Sequence, residues 1–245
     1  ATACNTIMAA SRPQGQTTDW TNNGQGVTYY YTGANPDNWF YFGGFWWRII
    51  RINGDGTIRM IYQGTSANTT GIGTQIGTSA FNSSFDDNMY VGFKYTSNQV
   101  HGTGTNSTIL TTLNDWYSKN LADEAEYLDG NAGFCGDRRV SSGTGTGTSE
   151  TYYQPYTRMS NSSPSLSCET PDIYTTSGSS TGNGALTYPI GLIIADEAMF
   201  AGIPWSTGSN RNNYLYTGLA YWTMSPYWYN NRYANGLAVF GGGAL

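Results

Sequence analysis

The sequence predicts an α+β fold: an irregular, twisted antiparallel sheet, one main amphipathic helix, and long loops rich in Gly, Ser and Thr. Three observations predict it. A dense β pattern fills residues 26–60 and turns back on itself at Asn53-Gly54-Asp55-Gly56. Apolar residues then recur at helical spacing after Ser107. Between these blocks the chain is polar and glycine-rich, with 32 glycines in 245 residues.

The elements follow in chain order. Residues 6–10 read as a short helix that stops before Arg12-Pro13, and residues 27–31 and 39–42 as strands. Residues 45–52 and 57–62 form a hairpin, because Asn-Gly and Asp-Gly supply the positive φ angles of tight turns. Alternation within it places Arg48 and Arg59 on one face and Ile49 and Ile58 on the other. Residues 64–107 form a polar stretch with aromatic islands at Phe81, Phe85, Tyr90 and Phe93. Ser107 or Asn106 can then cap a helix whose apolar residues Ile109, Leu110, Leu113, Trp116, Tyr117, Leu121 and Leu128 lie three or four apart, with Gly130 as the stop. Such a helix lies on the sheet. Residues 140–150 are a Gly-Thr repeat that cannot bury apolar area and is expected to be mobile. Residues 186–195 read as a strand and 196–201 as a short helix capped by Asp196. Residues 214–216 and 221–226 read as extended segments, and 237–240 lead into Gly241-Gly242-Gly243. Nothing has the composition of a linker, so residues 1–245 are expected to form one domain.

Only 11% of the residues are charged, against about 25% in an average soluble domain. Solubility therefore rests on hydroxyls and amides, a surface typical of exported proteins, and the expected location is secreted or cell-surface. The net charge of −5 opposes binding to nucleic acid, whose phosphates demand Lys and Arg. It opposes an anionic membrane surface for the same reason. The longest apolar tract, residues 189–195, falls well short of the ~18 residues of a membrane span. Ala1-Thr2-Ala3 reads as a mature N-terminus or as an arbitrary boundary.

Cys135 and Cys168 flank a Gly/Ser/Thr-rich insertion. A disulfide there would close a loop of about 33 residues, worth roughly 3–4 kcal/mol by loop-closure entropy. Cys4 is then left over, either as a free thiol or as the source of an intermolecular disulfide.

The residues offer little for catalysis. His101 is the lone histidine and falls in a Gly-rich loop, without the nucleophile and orienting carboxylate of a triad. One His and three scattered Cys do not make a zinc site. The acidic pairs Asp86-Asp87, Asp123-Glu124 and Asp196-Glu197 are adjacent in sequence, whereas glycosidase chemistry needs carboxylates facing across a cleft. Asp137 beside Arg138 and Arg139 reads as a structural ion-pair cluster. No catalytic residue, metal site or cofactor is expected. The aromatic residues Trp205, Tyr227, Trp228, Tyr229 and Tyr233 stand out instead, as a surface for assembly or for stacking on sugars.

Several blocks together carry a resemblance: Trp47-Arg48-Ile49-Ile50-Arg51-Ile52-Asn53-Gly54-Asp55-Gly56-Thr57, Leu113-Asn114-Asp115-Trp116-Tyr117, Phe134-Cys135-Gly136-Asp137-Arg138, Leu186-Thr187-Tyr188-Pro189-Ile190-Gly191-Leu192, Ala195-Asp196-Glu197 and Tyr221-Trp222-Thr223-Met224-Ser225-Pro226. In this order they resemble a family of exported and surface proteins of Gram-positive and related bacteria, some with prepilin-type leaders. That family is similar in turn to C-type-lectin-like domains, including formylglycine-generating-enzyme-like proteins. The resemblance implies a C-type-lectin-like fold, which hosts binding, display and catalysis alike. The copper chemistry of formylglycine-generating enzymes is not carried over, because Cys135 and Cys168 lack that active-site context. Family members continue past the position of Leu245 into a closing strand. Without such a strand here, the resemblance implies either a truncated terminus or an edge completed by another chain through strand addition. The expected function is a non-catalytic, self-assembling cell-surface, filament or pilus subunit whose partners are copies of itself or other surface proteins. An adhesin that binds glycans is the alternative.

Overall fold

The structure is a computed structural model that describes residues 13–206 and 208–245. Cys4 and the short helix expected at residues 6–10 lie outside the described residues.

Residues 15–64 form a five-stranded antiparallel sheet. β1 (Gly15–Asp19), the single-turn α1 (Thr21–Gly24), β2 (Gly26–Tyr30), β3 (Trp39–Phe42), β4 (Phe45–Ile52) and β5 (Ile58–Gly64) follow in order. β4 is the spine. One of its edges takes β3 along residues 45–48 and β2 at Arg51 and Ile52, and the other takes β5. The β4–β5 turn closes as the Asn-Gly-Asp-Gly sequence requires. The amide of Asn53 donates to the Thr57 carbonyl, and Gly56 takes the positive φ of 88°.

The register shifts between Ile49 and Arg51. This bulge re-aims the side chains around it and corrects the simple alternation expected of the hairpin. Arg59 lies opposite Arg51, while Arg48 bonds the Pro36 carbonyl and lies over the Trp39 ring.

β6 (Lys94–Tyr95) and β7 (Thr105–Asn106) form a short ribbon before α2 (Thr108–Asn120). Then come β8 (Phe134–Cys135), β9 (Val140–Ser142), β10 (Thr151–Tyr153), α3 (Gln154–Ser160), β11 (Ile173–Tyr174), α4 (Ala195–Phe200), β12 (Tyr221–Tyr229) and β13 (Ala234–Val239). A second sheet has the order β13-β12-β10-β9, and β8 pairs with β11. The fold is thus mixed α+β and mainly antiparallel, but distributed over several sheets rather than one.

The Ser107 hydroxyl caps α2 by accepting from the Leu110 amide. The helix ends earlier than its apolar spacing suggests. Leu121 leaves helical geometry to bury beside Trp47 and Tyr117, and a 3-10 turn (Ala122–Tyr127) follows. Trp116 packs on Phe45, Trp47 and Tyr62, seating α2 on the sheet.

Three further expectations are corrected. The Gly-Thr segment is held in place, because the Asn88 side-chain amide donates to the carbonyls of Gly147 and Ser149 and the Gly145 amide donates to Thr151 Oγ1. Polar side chains thereby replace the apolar burial it lacks. Residues 214–216 form turns, not a strand. Residues 186–195 contribute one bridge, Leu186 to Thr176, and otherwise have no ladder partner. A strand needs a continuous ladder as well as a β-prone sequence, and beyond that bridge the stretch makes only isolated bonds to its neighbours, such as the one from the Met224 amide of β12 to the Ile193 carbonyl. Cys135 and Cys168 form a disulfide with Cα atoms 6.0 Å apart. Among the described residues no helix is long and apolar enough to cross a membrane.

Candidate functional site

Two surfaces and three ionic groupings stand out in the structure. The first surface is aromatic. β10 and β12 pair with Tyr152 opposite Trp228, and this register stacks the two rings face to face at 5.3 Å and 7°. Tyr156, one turn into α3, packs against Tyr152, Tyr227 and Trp205. The result is a row of five half-buried rings running Trp205, Tyr156, Tyr227, Tyr152 and Trp228, which ends where Trp228 Nε1 donates to Glu150.

Of the five aromatics singled out from sequence, Trp205, Tyr227 and Trp228 come together here. Tyr229 does not: it is 1% exposed and donates its hydroxyl to the Asp86 carbonyl, a correction to its place in a binding surface. Strand alternation turns it to the opposite face from Trp228. Tyr233 is exposed but packs with Phe85 and Arg232 instead. Tyr152 and Tyr156 were missed, because their membership depends on the β10–β12 pairing across 76 positions of sequence, which no local pattern announces.

The second surface is a groove of about 720 Å³ beside β5. Every residue of β5 but the last lines it, which places the strand's outer edge, and not merely one face, along the groove. β5 pairs with β4 alone among the described strands. Residues 189–193, which make no ladder with any described strand, also line it. Ile109, Thr112, Leu113, Trp116 and Tyr117, the inward stripe of α2, line the groove as well. Its charged lining residues are Arg59 and Asp129. The Tyr117 hydroxyl is buried and has no hydrogen-bond partner among the described residues. The groove is separate from the aromatic row.

The ionic groupings are internal. Arg51 Nε is 2.8 Å from Glu197 Oε1 and Arg51 Nη1 is 3.1 Å from Asp19 Oδ2, all three side chains being about 1% exposed or less. The guanidinium lies over the Trp20 ring, with its carbon 4.6 Å from the centroid. Arg59 joins the group through Glu197 at 3.3 Å and donates to the Gly133 carbonyl. Burial pushes the Asp19 carboxyl up, but hydrogen bonds from Thr21, Thr28 and Gly54, with Arg51 beside it, bring it below the usual value. Burial and the neighbouring Arg51 bring Arg59 down to about 10, so it stays cationic at neutral pH. Each of the two carboxylates is held by arginine.

Arg158 bridges Asp137 and Asp196, at 2.7 Å to each. Asp196 is therefore an ion-pair partner and not the helix cap expected of it. Ile194 holds the cap position of α4, and the Glu197 carboxylate accepts its amide. Arg139 pairs with Asp137, whereas Arg138 turns inward to Asp172.

His101 is not a free loop residue. Its Nδ1 lies 3.0 Å from Asp172 Oδ1, and Asp172 is fully buried. That interaction with Asp172 raises the His101 pKa above the ordinary value, against the opposing effect of burial. A histidine beside a buried carboxylate supplies two parts of a triad. Asp172 also accepts the Arg138 backbone amide at 2.6 Å, which makes it the anchor of a charge cluster. Among the described residues no group of three His, Cys, Asp or Glu side chains could hold a metal ion. The chain matches no family model, no curated protein and no solved structure.

Proposed function

We propose that this chain is a non-catalytic structural subunit, exported to the cell surface, that assembles with copies of itself or with other surface proteins. The observation that carries the reading is the outer edge of β5, a strand edge with no partner among the described strands that opens into an apolar groove. An uncovered edge of this kind is a template for pairing with another chain. The disulfide fits an oxidising compartment. The block resemblance to exported surface proteins, with the C-type-lectin-like fold it implies, points the same way. Electron microscopy of native material, with sedimentation of the purified chain over a wide concentration range, tests the reading. Ordered polymers and concentration-dependent association are expected. A chain that stays monomeric throughout, with no polymer in native material, overturns it.

The aromatic row favours a second reading, adhesion through glycans. Half-buried Tyr and Trp rings present rigid faces at low entropic cost, as recognition surfaces do. Binding of purified chain to immobilised oligosaccharides, lost on Trp205→Ala or Trp228→Ala, is the expected outcome. Retention by none of a broad set of glycans excludes it.

A further inference from the structure

We infer that the groove beside β5 accepts an uncharged, apolar β-strand of another chain, about as long as β5 itself, which pairs with β5 on one side and with residues 189–193 on the other. The inference rests on the assembly reading above and names the chemistry of the partner.

Four observations converge on it. β5 and residues 189–193 are both backbone stretches lining the same groove, and among the described residues β5 pairs with β4 alone while residues 189–193 make no ladder, their one backbone bond to a strand running from the Met224 amide of β12 to the Ile193 carbonyl. The second stretch has the composition of a strand, Pro189-Ile190-Gly191-Leu192-Ile193, yet makes no ladder. A strand between them would complete both at once. The walls settle which side chains such a strand carries. On one side of the sheet lie Trp47, Tyr62, Trp116 and Tyr117, and on the other Ile50, Ile61, Ile193 and Leu215. A strand between two apolar layers is apolar on both faces, so its sequence is a continuous hydrophobic run rather than an alternating one.

Charge gives the third argument. Arg59 is already matched by Glu197 and the Gly133 carbonyl, and Asp129, the other charged lining residue, is exposed to solvent, so the buried part of the groove offers no uncompensated charge to a charged guest, and burying one would be costly. The fourth is the buried hydroxyl of the lining residue Tyr117, which has no hydrogen-bond partner among the described residues; a main-chain carbonyl of the guest gives it an acceptor. An acyl chain would satisfy the apolar walls but neither the two backbone edges nor this hydroxyl.

The test uses the full chain and a synthetic peptide with the core Val-Val-Ile-Val-Val between pairs of lysines that keep it soluble. Hydrogen exchange is followed at β5 and at residues 190–193 with and without peptide. Slower exchange in both stretches is expected, with binding weakened about tenfold or more by Leu192→Lys, which puts a charge in the groove. Ile76→Lys, on another wall of the groove, repeats the effect should Leu192→Lys fail to fold. Ile72→Lys, outside the groove and 79% exposed, leaves binding unchanged. A peptide with proline at its centre, which loses a ladder donor, binds worse. Binding without protection of the two stretches, or binding indifferent to Leu192→Lys and Ile76→Lys, overturns the inference. Protection by palmitate but not by the peptide overturns it too. If native polymers exist but the peptide does not compete with them, assembly stands and the strand inference falls. If the peptide binds and protects while no polymer forms, the strand inference stands and self-assembly falls.

Discussion

The interior of this molecule holds an unusual number of charges, and its surface an unusual run of rings. The chain carries 11 basic and 16 acidic side chains, and five of each are buried among the described residues. Five of its aromatic rings, by contrast, form a row at the surface around Tyr152 and Trp228. Buried charges are rare unless paired, and here each cluster joins segments far apart in sequence. Arg51 links β1, β4 and α4, and Arg158 links α3 and α4 to the loop after the disulfide. The difference teaches a division of labour. The ionic clusters specify which segments meet, because a wrong pairing strands a charge, whereas the surface rings need no partner in order to stay soluble.

The largest expected effect comes from breaking the interior half of that comparison. Arg51→Leu leaves Asp19 and Glu197 buried without their main cation, and a loss of about 3–5 kcal/mol follows, read as a fall in the urea midpoint. Adding Asp19→Asn to Arg51→Leu recovers part of the loss, because Asp19 then carries no unpaired charge while Glu197 keeps Arg59 as its cation. Second is Cys135→Ser with Cys168→Ser. The bridge spans 33 residues, and its removal costs about 3–4 kcal/mol, on the order of 10 °C in Tm by calorimetry.

The surface half should be cheaper to change. Trp228→Ala removes the stack on Tyr152 and the bond to Glu150. Since both rings are half-exposed, about 1–2 kcal/mol is at stake, and calorimetry should show a Tm close to the parent's. A loss as large as that of Arg51→Leu would make the row a piece of core, and the contrast between inside and outside would disappear.

The legible parts of the molecule were those fixed by short-range chemistry. The β4–β5 hairpin followed from Asn53-Gly54-Asp55-Gly56, the α2 N-terminus from Ser107, and the disulfide from two cysteines around an insertion. What escaped depended on distant partners. Arg51 and Glu197 are 146 positions apart, and nothing near either announces the other. The bulge beside Ile50 turned Arg59 toward Arg51, which alternation alone does not foresee. Tyr229 and Trp228 differ by one position and take opposite faces, so an aromatic-rich stretch did not reveal which ring would be outside. The groove was invisible for a related reason: residues 186–195 read as a strand, and no local signal says whether a strand finds its neighbour within the same chain.

His101 sits at the border between the two patterns, its ring about one-third exposed and its partner Asp172 fully buried. Arg138 and Glu169 are the other charges that act on it, the first lowering and the second raising its pKa, while Asp172 sets the upward direction. A histidine whose folded pKa exceeds its unfolded value near 6.5 contributes stability that is fully present below that value. The contribution is lost as pH rises through the higher folded pKa. Because the ring is partly solvated, the amount is under about 1 kcal/mol, the smallest effect considered. The parent should therefore lose a little stability between about pH 6 and pH 8 that His101→Gln does not lose, measured as the difference in urea midpoints across that interval. Identical slopes in the two proteins would mean that Asp172 is satisfied by Arg138 alone, and would move His101 wholly to the side of the surface.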